Sequence, residues 1–196
     1  MPRVTEEHLT ARRRQILDAA RRCFLRTGFH RTSMQDVLAE ANLSAGAVYR
    51  YFKGKNEIVM AIADEVLGGV LGGVTPQLRA DPPEPPTTIL AGLLRELEPQ
   101  LGPDGVLRMA VQVWGEAMHD KALADYVDRV YRGVRTSFVE YAERAGAAGL
   151  LPAGTDPAEV GPVLFGLVPG YIMQRSLTGG PPVDEYVRGI EALLSR

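Results

Sequence analysis

Residues 32–58 read TSMQDVLAEANLSAGAVYRYFKGKNEI. Thr32 with Gln35 three residues on has the pattern of a capping box, in which hydroxyl and amide satisfy backbone N–H groups at a helix start. A helix is therefore expected from about Ser33. Val37, Leu38 and Ala41 recur at helical spacing, and Asn42 tolerates the left-handed backbone of a helix end or tight turn. Ser44 then caps a second helix, expected over Ala45-Gly46-Ala47-Val48-Tyr49-Arg50-Tyr51. Its first turn carries only small side chains, so that end can lie close to base edges in a major groove. Two short helices joined by a turn and followed by aromatic and cationic residues form a helix-turn-helix pattern, which points to DNA.

Upstream, a first helix is expected from about Glu6 to Thr27, with Ile16, Ala20, Cys23, Phe24 and Thr27 on one face and Gly28 as the stop. Arg12, Arg13, Arg14, Arg21, Arg22 and Arg26 occupy the rest: either a solvated face or, for Arg12 to Arg14, an arm that reaches phosphate. Downstream, a fourth helix is expected from Gly54 to Leu67, ending in the cluster Gly68, Gly69, Gly72 and Gly73.

The spacing of Thr32, Ala41, Ser44, Gly46, Tyr49, Tyr51-Phe52 and Lys55 resembles the signature of the tetracycline-repressor (TetR) family of bacterial regulators. Arg14-Gln15-Ile16-Leu17-Asp18-Ala19-Ala20, Phe24 and Gly28 resemble that family's first helix. The resemblance covers roughly residues 12–58. It implies an all-α homodimer: an N-terminal three-helix helix-turn-helix domain binds double-stranded operator DNA, and a larger C-terminal helical domain dimerises and binds a small effector that weakens DNA binding. The chain departs from the family pattern at Leu38 (usually Ala), Asn42 (commonly Gly) and Ala45 (often basic or polar). Ala45 removes a possible DNA contact, which moves readout toward Arg50 and DNA shape. The expected DNA-facing set is Thr32, Ser44, Ala45, Gly46, Tyr49, Arg50, Tyr51 and Lys55. Tyr49, Tyr51 and Lys55 are assigned to phosphate and Arg50 to guanine or phosphate, with Phe52 in the core. The alternative makes both tyrosines core aromatics.

Composition agrees with a soluble protein able to bury a core: 45% of its 196 residues are hydrophobic and 23% charged. Residues 1–58 hold 11 Lys and Arg against 6 Asp and Glu, whereas residues 59–196 hold 11 against 18. A basic end on an acidic body suits a protein that touches phosphate with one end only. No stretch approaches the roughly 20 apolar residues of a membrane span and no signal-peptide core is evident, so a cytoplasmic protein is expected. The single cysteine, Cys23, excludes an intrachain disulfide and is expected to be a buried thiol. Gly54-Lys55 lacks the glycine spacing and metal-binding hydroxyl of a phosphate loop. His8, His30 and His119 have no metal-ligand spacing, and no Gly-x-Ser-x-Gly elbow occurs. No enzyme, metal or cofactor is expected.

The proline-rich TPQLRADPPEPP at residues 75–86 is expected to be a loop. Beyond it, helices are expected at 87–100, 104–119, 121–148, 156–178 and 183–195, with Asp156 and Pro157 opening the fourth of these and Pro162 and Pro169 inside it. The division is 1–53 for DNA binding and 54–196 for effector binding and dimerisation. A small, largely apolar effector is expected against Met109, Val113, Trp114, Met118, Tyr131, Phe138, Phe165, Tyr171 and Met173. Gln112, Gln174 and Arg175 are candidate polar anchors, and Arg108 and Glu116 the other charged groups nearby. The dimer contact is expected on the last two helices. The alternatives are a DNA-binding protein of the same fold without an effector, and a helical enzyme.

Overall fold

The computed structural model describes residues 6–102 and 105–194, and among these every regular element is helical. α1 (Glu6–Thr27) buries Ile16, Leu17, Ala20, Cys23 and Phe24, and Gly28 stops it at a positive φ of 82°. Arg12 to Arg14 lie within this helix, not on an arm. α2 (Met34–Ala41) starts one residue later than the capping-box pattern predicts. The cap is Ser33, whose hydroxyl accepts from Asp36 N while the Asp36 carboxylate accepts from Ser33 N at 2.8 Å. Thr32 is buried instead, donating to Gly28 O at 2.7 Å. Asn42 takes the left-handed conformation, and Ser44 caps α3 (Ala45–Tyr49), which ends two residues before Tyr51. Around Val37, Leu38, Val48 and Phe52 these three helices close a small core with the start of α4.

α4 (Lys55–Leu78) runs through all four clustered glycines and Pro76, so the expected stop at Leu67 is not observed. Each interior glycine costs about 1 kcal/mol relative to alanine, but Val70, Val74 and Leu78 continue at steps of four and are buried in the body, which offsets that cost. Pro76 removes one backbone N–H bond in the last turn, and only two helical residues follow it. The expected loop shrinks to residues 79–85. α4 is also long and apolar enough to cross a membrane, contrary to the sequence expectation. Here it is the axis of the fold: Ile58 and Ile62 belong to the N-terminal core and Val70 and Val74 to the core of the body.

The body adds α5 (Pro86–Leu97), 3-10 turns at Glu98–Leu101 and Val106–Met109, α6 (Ala110–Ala117), α7 (Lys121–Ala147), α8 (Pro157–Thr178) and α9 (Val183–Leu194). The helix expected at 104–119 is thus a 3-10 turn followed by α6. Residue 104, its expected start, and residue 195, expected to end α9, lie outside the described residues. α7 and α8 pack along their length. Gly161 permits the close approach, because a Cβ there would stand 2.7 Å from Val139. α8 continues through Pro162 and Pro169, with Asp156 capping Ala158 N.

Candidate nucleic-acid interface and interior cavity

The exposed side of the helix-turn-helix is small at one end and polar at the other. Ser44, Ala45 and Gly46 are solvent-facing, and a Cβ at Gly46 would meet nothing within 4 Å. One turn on, Tyr49 and Arg50 are exposed while Val48 fixes the helix to the core. Tyr51 is half-buried against that core, so the two tyrosines differ: Tyr49 faces outward and Tyr51 is partly a packing residue.

Two of the expected contacts are engaged within the protein. The Thr32 hydroxyl is enclosed by Gly28 O and Thr27 Oγ1, 2.7 and 2.8 Å away, and cannot grip phosphate from there. Lys55 points back into the protein: its ammonium donates to Phe29 O at 3.1 Å and His30 O at 3.0 Å and lies over the Phe29 ring. A nearby exposed cation is Lys53, whose Nζ reaches Tyr49 O at 3.0 Å beside the exposed Arg50. Its place between the aromatic pair and Gly54 was the available sequence signal. The arginines of α1 are mostly tethers. Arg13 and Arg21 pair with Glu65 on α4, and Arg22 and Arg26 with Glu40 on α2, holding the Glu40 carboxyl below its usual range. Such exposed pairs stabilise weakly and mainly fix register. Cys23 is enclosed, and burial raises its thiol pKa, the character of a packing group and not of a redox sensor.

Behind this surface lies a cavity of about 170 Å³ walled by α4, α5, α6, α7 and α8. Among the described residues no charged side chain lines it. Of the side chains expected to meet an effector, Met109, Val113, Trp114, Tyr131 and Phe165 form part of its wall. The last three make an edge-on stack, with ring centroids 6.3 Å apart for Trp114–Tyr131 and 5.1 Å for Tyr131–Phe165. Burial pushes the Tyr131 phenol up to about 12, so it stays neutral. Four expected residues do not line the cavity. Met118 falls just beyond α6 and is 77% exposed, and Met173 is also exposed. Phe138 and Tyr171 are buried in solid core, where the Tyr171 hydroxyl donates to Glu98. The missed walls are on α4 (Met60, Ala63, Leu67, Leu71) and on the apolar face of α7 (Val127, Val130, Val134). α7's face was legible as a stripe; α4's was hidden by its glycines.

None of the candidate polar anchors enters the cavity. Arg175 pairs with Glu98, Gln174 is exposed, and Arg108 lies in a separate cleft beside α1. Glu116 and Gln112 instead reach across to the N-terminal unit: Glu116 pairs with His30 at 2.8 Å, and Gln112 Oε1 accepts from Phe29 N at 2.9 Å. Asn56, at the start of α4, donates to Asp120 at 2.7 Å. Tyr126 donates to Met60 O and Asp64 near the cavity wall.

Residues 16–62 match the family described as "Bacterial regulatory proteins, tetR family", and residues 86–196 match "BetI-type transcriptional repressor, C-terminal". The chain belongs to the TetR family. The family is one of regulators, not enzymes. A repressor of Mycobacterium tuberculosis, "HTH-type transcriptional repressor Rv1474c", is 43% identical over 65 residues. That match spans 33% of this chain and 35% of the relative, so the chain spans about a third of such relatives' length. BetI of Burkholderia cenocepacia is 26% identical over 181 residues, covering 92% of this chain and 89% of the relative. Salmonella enterica GusR superposes with a TM-score of 0.73 at 22% identity over 99% of this chain and 97% of that one, which shows a shared fold.

Proposed function

We propose that this TetR-family member is a ligand-responsive transcriptional repressor, a cytoplasmic homodimer that binds a roughly palindromic operator and is released by a small, neutral, largely apolar effector. The observation that carries the reading is the position of the cavity. Its walls draw on both cores, with Val59 and Ile62 from the helix-turn-helix side and Val70 and Ile172 from the body. A ligand seated there touches the reading unit and the body at once, which is the requirement for a differential effect on two arrangements of them. The apolar lining among the described residues favours a neutral ligand, since an uncompensated charge buried there is costly by several kcal/mol.

The dimer face uses only part of the apolar surface of the last two helices. Leu164, Val168, Tyr171, Ile172, Val187 and Ile190 are buried within the chain. The large apolar side chains that remain exposed are Val163, Met173 and Leu177 on α8, at helical steps along one side with Gly166, and Leu193 and Leu194 on α9. Val163 is 66% and Leu193 81% exposed, and this stripe supports a four-helix contact between copies.

The reading is tested by selecting a DNA site from random duplexes with the purified protein and titrating it by gel shift. A palindromic site bound by a dimer is the expected result. Failure to enrich any site overturns it.

A further inference from the structure

We infer that Gln112 is the residue through which an occupied cavity acts on the DNA-reading unit, by holding the backbone of Phe29. The inference rests on the proposed function and names the route of its regulation. Phe29 is gripped from two sides by helices that also wall the cavity. On one side the Phe29 N–H donates to Gln112 Oε1 at 2.9 Å, and Gln112 stands on α6 between the lining residues Ala110 and Val113. On the other side the Phe29 carbonyl accepts from Lys55 Nζ at 3.1 Å, at the first residue of α4, whose next turn carries the lining residues Val59 and Met60.

Gln112 is itself exposed, but the loop it holds is tightly fixed. Gly28 has a φ of 82°, and a Cβ there would stand 3.1 Å from Gln112 Oε1, so a side chain would strain the backbone and crowd the acceptor. The Phe29 ring is buried and packs 5.4 Å from Phe24, centroid to centroid, so its backbone cannot shift without disturbing the reader's core. Thr32 closes the same loop by donating to Gly28 O, one residue before the Ser33 cap of α2. One turn along α6, Glu116 holds the neighbouring His30, so α6 meets this loop at two points. A ligand that spreads α6 from α4 sets the two grips on Phe29 against each other and reorients the loop that leads into α2 and α3. Gln112 is thus a positioning residue: it touches neither DNA nor the cavity's contents.

The test needs no identified effector, because a larger side chain can fill the cavity. Val130→Phe, with Ala63→Phe as a second filler, is combined with Gln112→Leu, which removes the acceptor at similar size, and with Gln112→Glu, which keeps an acceptor oxygen. Folding is checked by circular dichroism, operator affinity is measured on the selected site, and exchange of the Phe29 amide is followed by NMR. The expected result is that at least one folded filler weakens operator binding at least about fivefold, the lower range of allosteric coupling. Gln112→Leu should abolish that response, Gln112→Glu should retain it, and Phe29 amide exchange should be faster in Gln112→Leu than in wild type. If filler and Gln112→Leu act independently, or Phe29 protection is unchanged by Gln112→Leu, the relay is overturned and the proposed function stands. If folded fillers leave operator affinity untouched, cavity and reader are not linked, and both fall.

Discussion

The N-terminal unit and the body are built from the same amphipathic helices, yet their interiors differ. The first is filled: Ile16, Leu17, Val37 and Val48 are fully enclosed around the Phe24 and Phe29 rings. The second, where it meets the first, leaves about 170 Å³ empty between α4 and α7. At the cavity coefficient measured for core truncations, a void of that size forgoes up to roughly 4 kcal/mol. The solid unit has little room for a ligand, whereas the hollow one can gain stability by binding something.

The most severe test of this contrast compares leucines. Leu17→Ala, in the filled core, should cost about 2–5 kcal/mol in denaturant unfolding, whereas Leu71→Ala, whose side chain already borders the void, should cost less than about 1.5 kcal/mol. Equal losses would mean that the body is packed as tightly as the reader. Next in size is assembly. Leu193→Glu combined with Val163→Glu should give helical monomers by sedimentation, with operator affinity down roughly 100-fold as the second half-site contact is lost. Dimers that persist would move the contact elsewhere on the body.

On the reading surface, Arg50→Ala should weaken binding by about 1–3 kcal/mol and relax preference at one base position, while Lys53→Ala should weaken all sequences alike. Lys55→Met should lower melting temperature more than it alters the salt dependence, because its ammonium serves Phe29 and His30. If the dimer neutralises about 6 to 8 phosphates, log affinity should fall with log salt at a slope of roughly −5 to −7. A slope near zero removes the electrostatic part. The smallest effect concerns the α2 cap. The Ser33 backbone N–H holds the Asp36 carboxyl below its usual range, so its contribution is present above the unfolded carboxylate pKa of about 3.9 and lost as pH falls through the lower folded value. Asp36→Asn should flatten the acid end of the melting-temperature profile; an unchanged profile would show that the cap's charge is immaterial.

How far each region was legible follows from the range of the contacts that define it. The turn was readable because Asn42 and Ser44 act within a few residues of themselves. The α2 cap slipped by one because Thr32 and Ser33 are both capping types with a suitable residue three ahead. Burial of Thr32, a tertiary effect, decides between them. α4 was cut short because glycine and proline are local stop signals, and only packing on α5 and α7 overrides them. In the body, Tyr131 and Tyr171 look alike in sequence, yet one borders the void and the other is sealed against Glu98. Periodicity shows that a face is apolar, not whether anything fills the space before it. Lys55 and Gln112 were assigned to ligands because their partners lie 26 and 83 residues away, beyond any local pattern.

The central claim is that filling the cavity releases DNA. The most direct measurement takes a neutral apolar compound found by its upward shift of the melting temperature and titrates it against the protein on its selected operator. Release predicts that operator affinity falls over the same concentrations that stabilise the free protein, by roughly 5- to 150-fold at saturation. A compound that binds in the cavity and stabilises the fold while leaving operator affinity unchanged would contradict it.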